Sequence, residues 1–473
     1  MRNILSSIVL FWGVFVSAQV VHTEITTWKN DARGAYNLIH DDYGSSVVDG
    51  IWQYADTIAH NRGLTFTIGA ITQHCEASRN VLGYSSPYEY AKKVMVPIHG
   101  HEIINHTHTH SCALNMGGGS CSKDWTVEDI EYELGVSTTS IFDNTGYYPQ
   151  YLIFPYDQFQ DLCNQFLKEE VGYIGSRSGW TSNQSGSVPY HRYGYDKSDN
   201  ANFFPDADGY FRTAVVVKVY DASDGKGAYA QELNAWAQTA IDNGVWVNRE
   251  LHNVGSNGWG RVSVADYRDH LDFLKQSVDN NDLWVGTVSE ILTYQAQKLG
   301  FTTQGSYSAA NHSVVVSFNE TSSFDITNYL ADLSFKSPVT VKVDLSAYTD
   351  LSGLVIVQNS DTIQDYRIEN NVAYVNMYPH EGSVRLLNID GITTSLDHVY
   401  NTQKLVLSPN PSASQFSISS AEHIASVEVY NNQGALVMTS AELTFGEQLL
   451  PGAYHVVIIF DDLSSQNHKV VKL

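Results

Sequence analysis

The stretch His101-Glu102-Ile103-Ile104-Asn105-His106-Thr107-His108-Thr109-His110 decides how this chain is read. Its apolar pair, Ile103-Ile104, suits the end of a buried strand, and the chain then passes into polar residues with two imidazoles four positions apart. If one helical turn follows the strand, His106 and His110 stand on one face, as two ligands of one ion require. A carboxylate from elsewhere would complete a His₂-Asp set that leaves room for water and substrate. Asp41-Asp42 offers one. His108 points elsewhere on such a turn and reads as a supporting or pocket group. Two plainer readings compete: a solvated histidine tract running from His99 to His110, and an ordinary strand-to-turn sequence in Asp41-Asp42-Tyr43-Gly44.

Outward from this stretch, short apolar runs alternate with helical patterns. Ala35–Ile39, Leu64–Ile68, Glu102–Ile104, Tyr151–Phe154, Gly172–Ile174, Ala214–Val219, Val245–Leu251 and Trp284–Gly286 read as buried strands. Helical patterns fall at Val127–Phe142, Gln158–Glu170, Ala228–Asp242 and Val264–Asp279, the last with Val264, Tyr267, His270, Leu271 and Leu274 at helical spacing. Regular alternation implies an α/β fold with a parallel sheet, here closed as a barrel. Chemistry in such barrels sits at the carboxyl ends of the strands. Asp41-Asp42, His106, Tyr156 and His252 each fall at or just after a proposed strand end, so they can converge.

These motifs, in this order, resemble those of the polysaccharide deacetylases, metal-dependent carbohydrate esterases related to chitooligosaccharide deacetylase. The family's T-F-D-D-G corresponds to Ile39-His40-Asp41-Asp42-Tyr43-Gly44, and its H-S/T-x-x-H to His106 through His110. R-x-P-Y aligns with Ile153-Phe154-Pro155-Tyr156, and the late L-x-H or L-H motif with Leu251-His252. Trp180 is a weak match to a fourth motif. The resemblance covers residues 22–300 and implies an irregular seven-stranded (β/α) barrel. It also implies roles: Asp42, His106 and His110 as ligands of a divalent metal, zinc being expected; Asp41 as base; His252 as acid; the Tyr156 amide as oxyanion donor; Trp180, His108 and Leu251 at the substrate pocket. The chain departs from the pattern at Ile153, where the family has the arginine that orients the base. Arg177 and Arg249 are the candidates for reaching the same carboxylate. Tyr43, inserted before the glycine of the first motif, implies a different loop beneath the substrate.

The remaining sequence describes an exported protein. Residues 1–18 carry Arg2, an apolar run from Ile4 to Val16 and a small-residue end at Ser17-Ala18, the pattern of a signal peptide. That run is too short to span a bilayer comfortably, and no other stretch is long and apolar enough. Cys75, Cys112, Cys121 and Cys163 would meet an oxidising environment, where three pairings are possible. A Cys112–Cys121 bond would brace the Gly117-Gly118-Gly119 loop. The net charge of −24 argues against nucleic acid and anionic membrane as partners, since both bind largely through Lys and Arg. The 29 tyrosines, with abundant Asn, Ser and Gly, suit a surface that stacks on sugar rings.

After Gly300 the pattern changes to strands without helices. Ser313–Phe318, Val339–Leu345, Gly353–Gln358, Val372–Tyr378 and Ser383–Asn388 suggest a β-sandwich at 302–395, behind a catalytic domain at 19–301. No aromatic row marks it as a sugar-binding module, so a spacer or packing role is favoured. Residues 402–473 contain Leu407-Ser408-Pro409-Asn410-Pro411, Asn431-Asn432-Gln433-Gly434, Leu450-Pro451-Gly452-Ala453-Tyr454 and a basic end, Lys469 to Lys472. This resembles the C-terminal sorting domain of type IX secretion cargo in Bacteroidetes, a small β-sandwich. It implies the type IX machinery as a partner and export through the periplasm to the cell surface or medium. The expected function is therefore hydrolysis of N-acetyl or O-acetyl groups on a polysaccharide such as chitin oligomers, peptidoglycan or xylan. The alternative is a weakened deacetylase-like barrel that binds carbohydrate at the surface.

Overall fold

The computed structural model describes residues 19–178, the strand 211–214 and, with breaks of which 322–336 is the longest, residues 229–388 and 406–472. The chain divides into two compact units, 1–387 and 388–473.

The first unit opens with two short strands, β1 (Gln19–Val21) and β2 (Thr23–Ile25). A parallel sheet follows: β3 (Gly34–Tyr43), β4 (Thr67–Ala70), β5 (Glu102–Asn105), β6 (Tyr151–Ile153), β7 (Gly175–Ser178), β8 (Phe211–Ala214), β9 (Trp246–Leu251) and β10 (Leu283–Val285). Seven of these run in the order β9-β3-β4-β5-β6-β7-β8, and β10 lies along the first residues of β3. This is the curled (β/α) sheet expected from the alternation. Strand β3 is buried along nearly its whole length because it is covered on both faces, as parallel sheets are. Tyr36 and Leu38 pack outward against Leu233 and Ala237 of the helix Ala230–Asn243 and Tyr267, Leu271 and Leu274 of Val264–Asp279. Ala35 and Ile39 face inward with Trp246, Ile104, Tyr151 and Ile153. The period of two thus sends Asn37 and Asp41 inward with Ala35 and Ile39, and on β9 sends Asn248 and Glu250 the same way. Asn37 and Asn248 are hydrogen-bonded to each other at 3.2 Å, and Trp246 Nε1 donates to Asn37.

Two strand positions differ from the sequence reading. The strand expected at Gly172–Ile174 lies at Gly175–Ser178, and the one expected at Ala214–Val219 is described at Phe211–Ala214, residues 215–228 lying outside the described part. The sequence Gly-Ser-Arg-Ser has no apolar residue, so the pattern locates instead the apolar turn before it.

A β-sandwich follows the helix Val288–Gly300, whose N-terminus is closed by reciprocal hydrogen bonds between Thr287 and Glu290. Its strands are β11 (Phe301–Ser308), β12 (Ser313–Glu320), β13 (Val339–Asp344), β14 (Leu354–Gln358), β15 (Asp361–Thr362), β16 (Tyr366–Glu369), β17 (Val372–Met377) and β18 (Val384–Asn388). The sheets are β1-β11-β12-β18-β14-β15 and β16-β17-β13-β2. Residues 19–25, assigned by sequence to the catalytic domain, therefore belong to the sandwich, where β1 pairs with β11 and β2 with β13. These strands are too short to be legible alone. Tyr294 ties the two parts together, its hydroxyl lying 2.8 Å from the Thr26 hydroxyl with its ring in the sandwich core.

The second unit has two sheets. One contains β19 (Val406–Ser408), β20 (Phe416–Ser419) and β23 (Thr444–Phe445); the other contains β21 (Ile424–Tyr430), β22 (Leu436–Ser440), β24 (Gly452–Phe460) and β25 (Ser465–Lys472). Tyr454, Val456 and Ile458 alternate into its core with Val427, Val429 and Phe416.

Buried imidazoles make the first unit sensitive to acid. Burial pushes His40 down to about 4, against a smaller opposing effect of the His252 carbonyl, and burial beside Arg249 pushes His270 down to about 3. An unfolded histidine titrates near 6.5. The unfolded chain therefore takes up protons below pH 6.5 that the folded chain refuses, and stability falls as pH drops from 6.5 towards these values. His270 alone removes about 2 kcal/mol between pH 6.5 and 4.5. Denaturant unfolding across that range is expected to show this slope, and His270→Gln to flatten it. An unchanged slope in that variant would assign the acid sensitivity elsewhere.

Candidate active site

Asp41 and Asp42 end β3, where neighbouring side chains would ordinarily face opposite ways. The backbone turns left-handed at Asp42, with φ of 64°, a conformation that costs a non-glycine residue about 1–3 kcal/mol. This turn lets both carboxylates serve one centre. Asp42 Oδ1 lies 3.4 Å from His106 Nε2 and 3.1 Å from His110 Nε2, and the three ligand atoms lie within 4.8 Å of one another.

The expected helical turn is absent. Residues 106–110 form a loop, with left-handed backbone at Thr107 (φ 68°) and His110 (φ 63°). Spacing alone suggested a helix, but the loop brings the two rings to 4.8 Å by another path.

The hydrogen bonds decide which imidazole atoms are available. His106 Nδ1 lies 2.9 Å from the Ile153 carbonyl, which can only accept, so that nitrogen carries the proton and Nε2 presents its lone pair to the centre. Asp42 Oδ1 is buried without a hydrogen-bond donor. This donor set fits a divalent cation.

A second cluster, Asp56, His99 and His101, has similar composition and a different chemistry. The Phe66 amide donates to His101 Nδ1 at 3.2 Å, so His101 Nε2 carries the proton and donates to Asp56 at 3.0 Å. Tyr90 also donates to Asp56. That cluster is a satisfied hydrogen-bond network with no lone pair from His101 to offer.

Around the centre, Arg177 on β7 holds Asp41 by two hydrogen bonds, Nη1 to Oδ1 at 3.2 Å and Nη2 to Oδ2 at 2.7 Å. It thus meets the carboxylate that the arginine of the third motif would orient, from the adjacent strand. Arg249 does not; its guanidinium reaches Glu232 at 3.3 Å on the outer side. Arg177 also meets Glu250 at 3.0 Å and Asp157 at 3.5 Å. Burial pushes the Glu250 carboxyl well up, with Arg177 opposing, and burial likewise raises Asp157. Neither acid stands out in the sequence, although Glu250 shares its face of β9 with His252 by simple alternation.

His252 Nε2 lies 3.8 Å from Asp42 Oδ2, and Nδ1 lies 3.6 Å from Glu250 Oε1. Burial lowers its pKa, with the Asp42 and Asp41 carboxylates opposing. Gly260, at φ 61°, packs against this ring: a Cβ there would fall 2.7 Å from Nδ1. Pro155 leads into a turn that is left-handed at both Tyr156 (φ 54°) and Asp157 (φ 59°). Asp157 N and Gln158 N bond back to Phe154 O and Pro155 O, and no carbonyl of the turn meets the Tyr156 amide. The Tyr156 ring is half-exposed and 4.9 Å from that of His110.

Of the other proposed residues, His108 turns away, its Nδ1 2.8 Å from the Thr72 hydroxyl and its ring on Tyr132. Leu251 lies on the helix-facing side of β9, within the main core. Trp180 lies outside the described residues. Cys112 and Cys121 are disulfide-bonded, while Cys75 and Cys163 are buried thiols.

Removing the guanidinium would leave Asp41 buried without its partner. Breaking a buried pair in this way costs about 3–5 kcal/mol. Arg177→Met is therefore expected to lower the unfolding free energy by that amount and to slow any Asp41-dependent reaction. A variant as stable as the parent would show that the contact is not formed in solution.

The small two-sheet unit, with its ordered turn and strand motifs, matches one family model. Residues 407–472 match the secretion system C-terminal sorting domain. The sorting domain implies the type IX secretion machinery as a partner, and no described helix is long and apolar enough to cross a membrane. The chain is also similar to several solved carbohydrate esterases of family 4, over about half of its length. One is an acetyl xylan esterase from Clostridium thermocellum in complex with cobalt, at 16% identity and TM-score 0.32, covering 55% of this chain and 90% of that one. Another is a family 4 esterase from Streptomyces lividans in complex with acetate, at 15% identity and TM-score 0.31, covering 55% and 93%. A family 4 pseudoenzyme from Bacillus anthracis is similar at 12% identity and TM-score 0.32, covering 55% and 65%. Comparison with curated proteins gave no match. With likenesses at this level, the chemistry rests on the residues themselves.

Proposed function

We propose that the chain is an exported, metal-dependent deacetylase that hydrolyses N-acetyl or O-acetyl groups on a polysaccharide. The observation that carries this reading is the meeting of Asp42, His106 and His110 at one centre, with Asp41 and His252 beside it. A divalent ion held by those three residues, for which zinc suits a His₂-carboxylate set, would supply Lewis acidity at the acetyl carbonyl and acidify the attacking water.

The chain's own groups do the rest. Asp41, oriented by its two hydrogen bonds from Arg177, takes the proton as water adds to the carbonyl carbon. The Tyr156 amide donates to the developing oxyanion, a contribution of about 3–4 kcal/mol for a well-placed donor. His252 then donates a proton to the leaving nitrogen or oxygen as its bond to carbon breaks, releasing acetate. The burial that lowers its pKa makes its protonated form a stronger acid. An open cleft of about 680 Å³ between the segments that follow β3 and β9 is lined in part by Gln53, Tyr54, Asn253, Asn257 and Arg261; it contains none of the site residues above and meets them in the chain only through Asn253, which follows His252. The contact between Arg177 and Asp41 favours activity over the alternative of a weakened, carbohydrate-binding barrel. Acetate release from acetylated chitooligosaccharides, xylan and peptidoglycan, with and without chelator, tests the reading. Chelator-sensitive release from at least one is expected, and none from any would refute it.

Residues 1–18 serve as the signal peptide and the sorting domain completes export, as in Bacteroidetes. Residues 19–395 without the sorting domain are expected to fold and deacetylate at an undiminished rate, since β1 and β2 stay with their sandwich and each unit buries its own core. In the native host this truncated protein should stay in the periplasm. Its appearance at the surface or in the medium would overturn the role of the tail.

A further inference from the structure

We propose that Glu133 is a positioning residue for the ion-binding loop, acting through His110; the inference rests on the metal-dependent reading. The two histidines are anchored differently. His106 follows directly on β5 and is oriented by the Ile153 carbonyl of β6, so the sheet itself fixes it. His110 lies at the far end of a loop with left-handed backbone at Thr107 and at His110 itself. Such a loop keeps its shape only where its surroundings over-determine it.

Glu133 supplies that constraint. It is buried on the helical run 127–145, and its carboxylate accepts four hydrogen bonds from the loop. Oε2 accepts from His108 N at 3.0 Å, an amide it shares with the Glu133 main-chain carbonyl at 3.1 Å, and from Thr109 N at 2.9 Å. Oε1 accepts from the Thr109 hydroxyl at 2.5 Å and the Ser111 hydroxyl at 3.0 Å. A carboxylate can accept at about four lone-pair sites, so Glu133 is fully engaged by the residues on either side of His110. The same helical run holds the loop's start: Asn105 donates to the Ser137 hydroxyl at 2.7 Å and accepts from Thr107 N at 2.7 Å. The Thr107 hydroxyl then accepts from His110 N at 3.1 Å.

A glutamine could satisfy nearly the same pattern. Its oxygen would take the two amides, and its NH₂ would donate to the Thr109 and Ser111 hydroxyls, which can turn to accept. A methionine of similar length could take none of the four.

The test uses residues 19–473. Zn²⁺ affinity would be measured by competition calorimetry and ligand geometry by the visible spectrum of the Co²⁺-loaded protein. Glu133→Met is expected to weaken Zn²⁺ by about 10–100-fold, the usual consequence of losing a group that orients a ligand, and to alter the Co²⁺ spectrum. Glu133→Gln should restore both towards the parent. Parent-like affinity and spectrum in Glu133→Met would overturn the proposal. Should that variant fail to fold, Thr109→Val combined with Ser111→Ala keeps Glu133 and both amide bonds; about fivefold weaker Zn²⁺ binding is expected, and unchanged binding would overturn it equally. If the unaltered protein binds no Zn²⁺, the metal-dependent reading fails along with the inference, whereas tight parental binding unaffected by these changes removes the inference alone.

Discussion

His106→Ala is expected to fold, to lose the ion and not to deacetylate. In the proposed site His106 would supply one of three ligand atoms, its Nε2, whose lone pair is fixed in place by the bond from Nδ1 to Ile153. Asp42→Ala and His110→Ala are expected to behave alike, with turnover falling to the background of the uncatalysed reaction. The fold survives because the cores on the two faces of the sheet, built from Tyr36, Leu38, Leu271 and Ile39, Trp246, Ile153, do not depend on these side chains. Removing Asp42 should even relieve the strain of its left-handed backbone if Gly is used instead. Metal content by mass spectrometry and unfolding by circular dichroism check both halves. Stoichiometric zinc in all three Ala variants would place the ion elsewhere.

Asp41→Asn and His252→Ala are expected to separate binding from chemistry. Neither residue is among the three ligands, so metal content should stay near that of the parent. Each would lose a proton-transfer role that commonly contributes about 10²–10⁴-fold. Asp41→Asn also reverses half of the interaction with Arg177, since an amide NH₂ would face a guanidinium donor, and a modest loss of stability should accompany the loss of rate. A parent-like rate of acetate release in either variant would show that the base or the acid is another group, with Glu250 the first to try.

The sequence makes the outline of this site legible because parallel strands in a covered sheet are nearly all apolar, so their carboxyl ends are visible as the points where polarity begins. Asp41-Asp42, His106 and His252 fall at such points, which lets them converge, while the ordered resemblance to the deacetylase motifs is what singles them out. What stayed hidden has physical causes. Strand β7 is Gly-Ser-Arg-Ser, whose buried polar side chains leave no apolar signal, so the sequence names Arg177 as a candidate partner of Asp41 but cannot separate it from Arg249. The loop 106–110 imitates a helical turn in spacing, but its geometry is set by Glu133 and Asn105, contacts that no local pattern reveals. Glu250 could have been found by counting two residues back from His252 along a strand. Strands β1 and β2 are three residues each and acquire meaning only by pairing with strands some three hundred residues away.

The most direct measurement of the central claim is the position of the ion, by anomalous diffraction at the zinc edge from crystals of the metal-loaded protein. A single strong peak about 2.0–2.2 Å from a carboxylate oxygen of Asp42 and from Nε2 of His106 and His110 is expected, with nothing at Asp56, His99 and His101. A peak in the second cluster alone, or none at Asp42, would contradict the account.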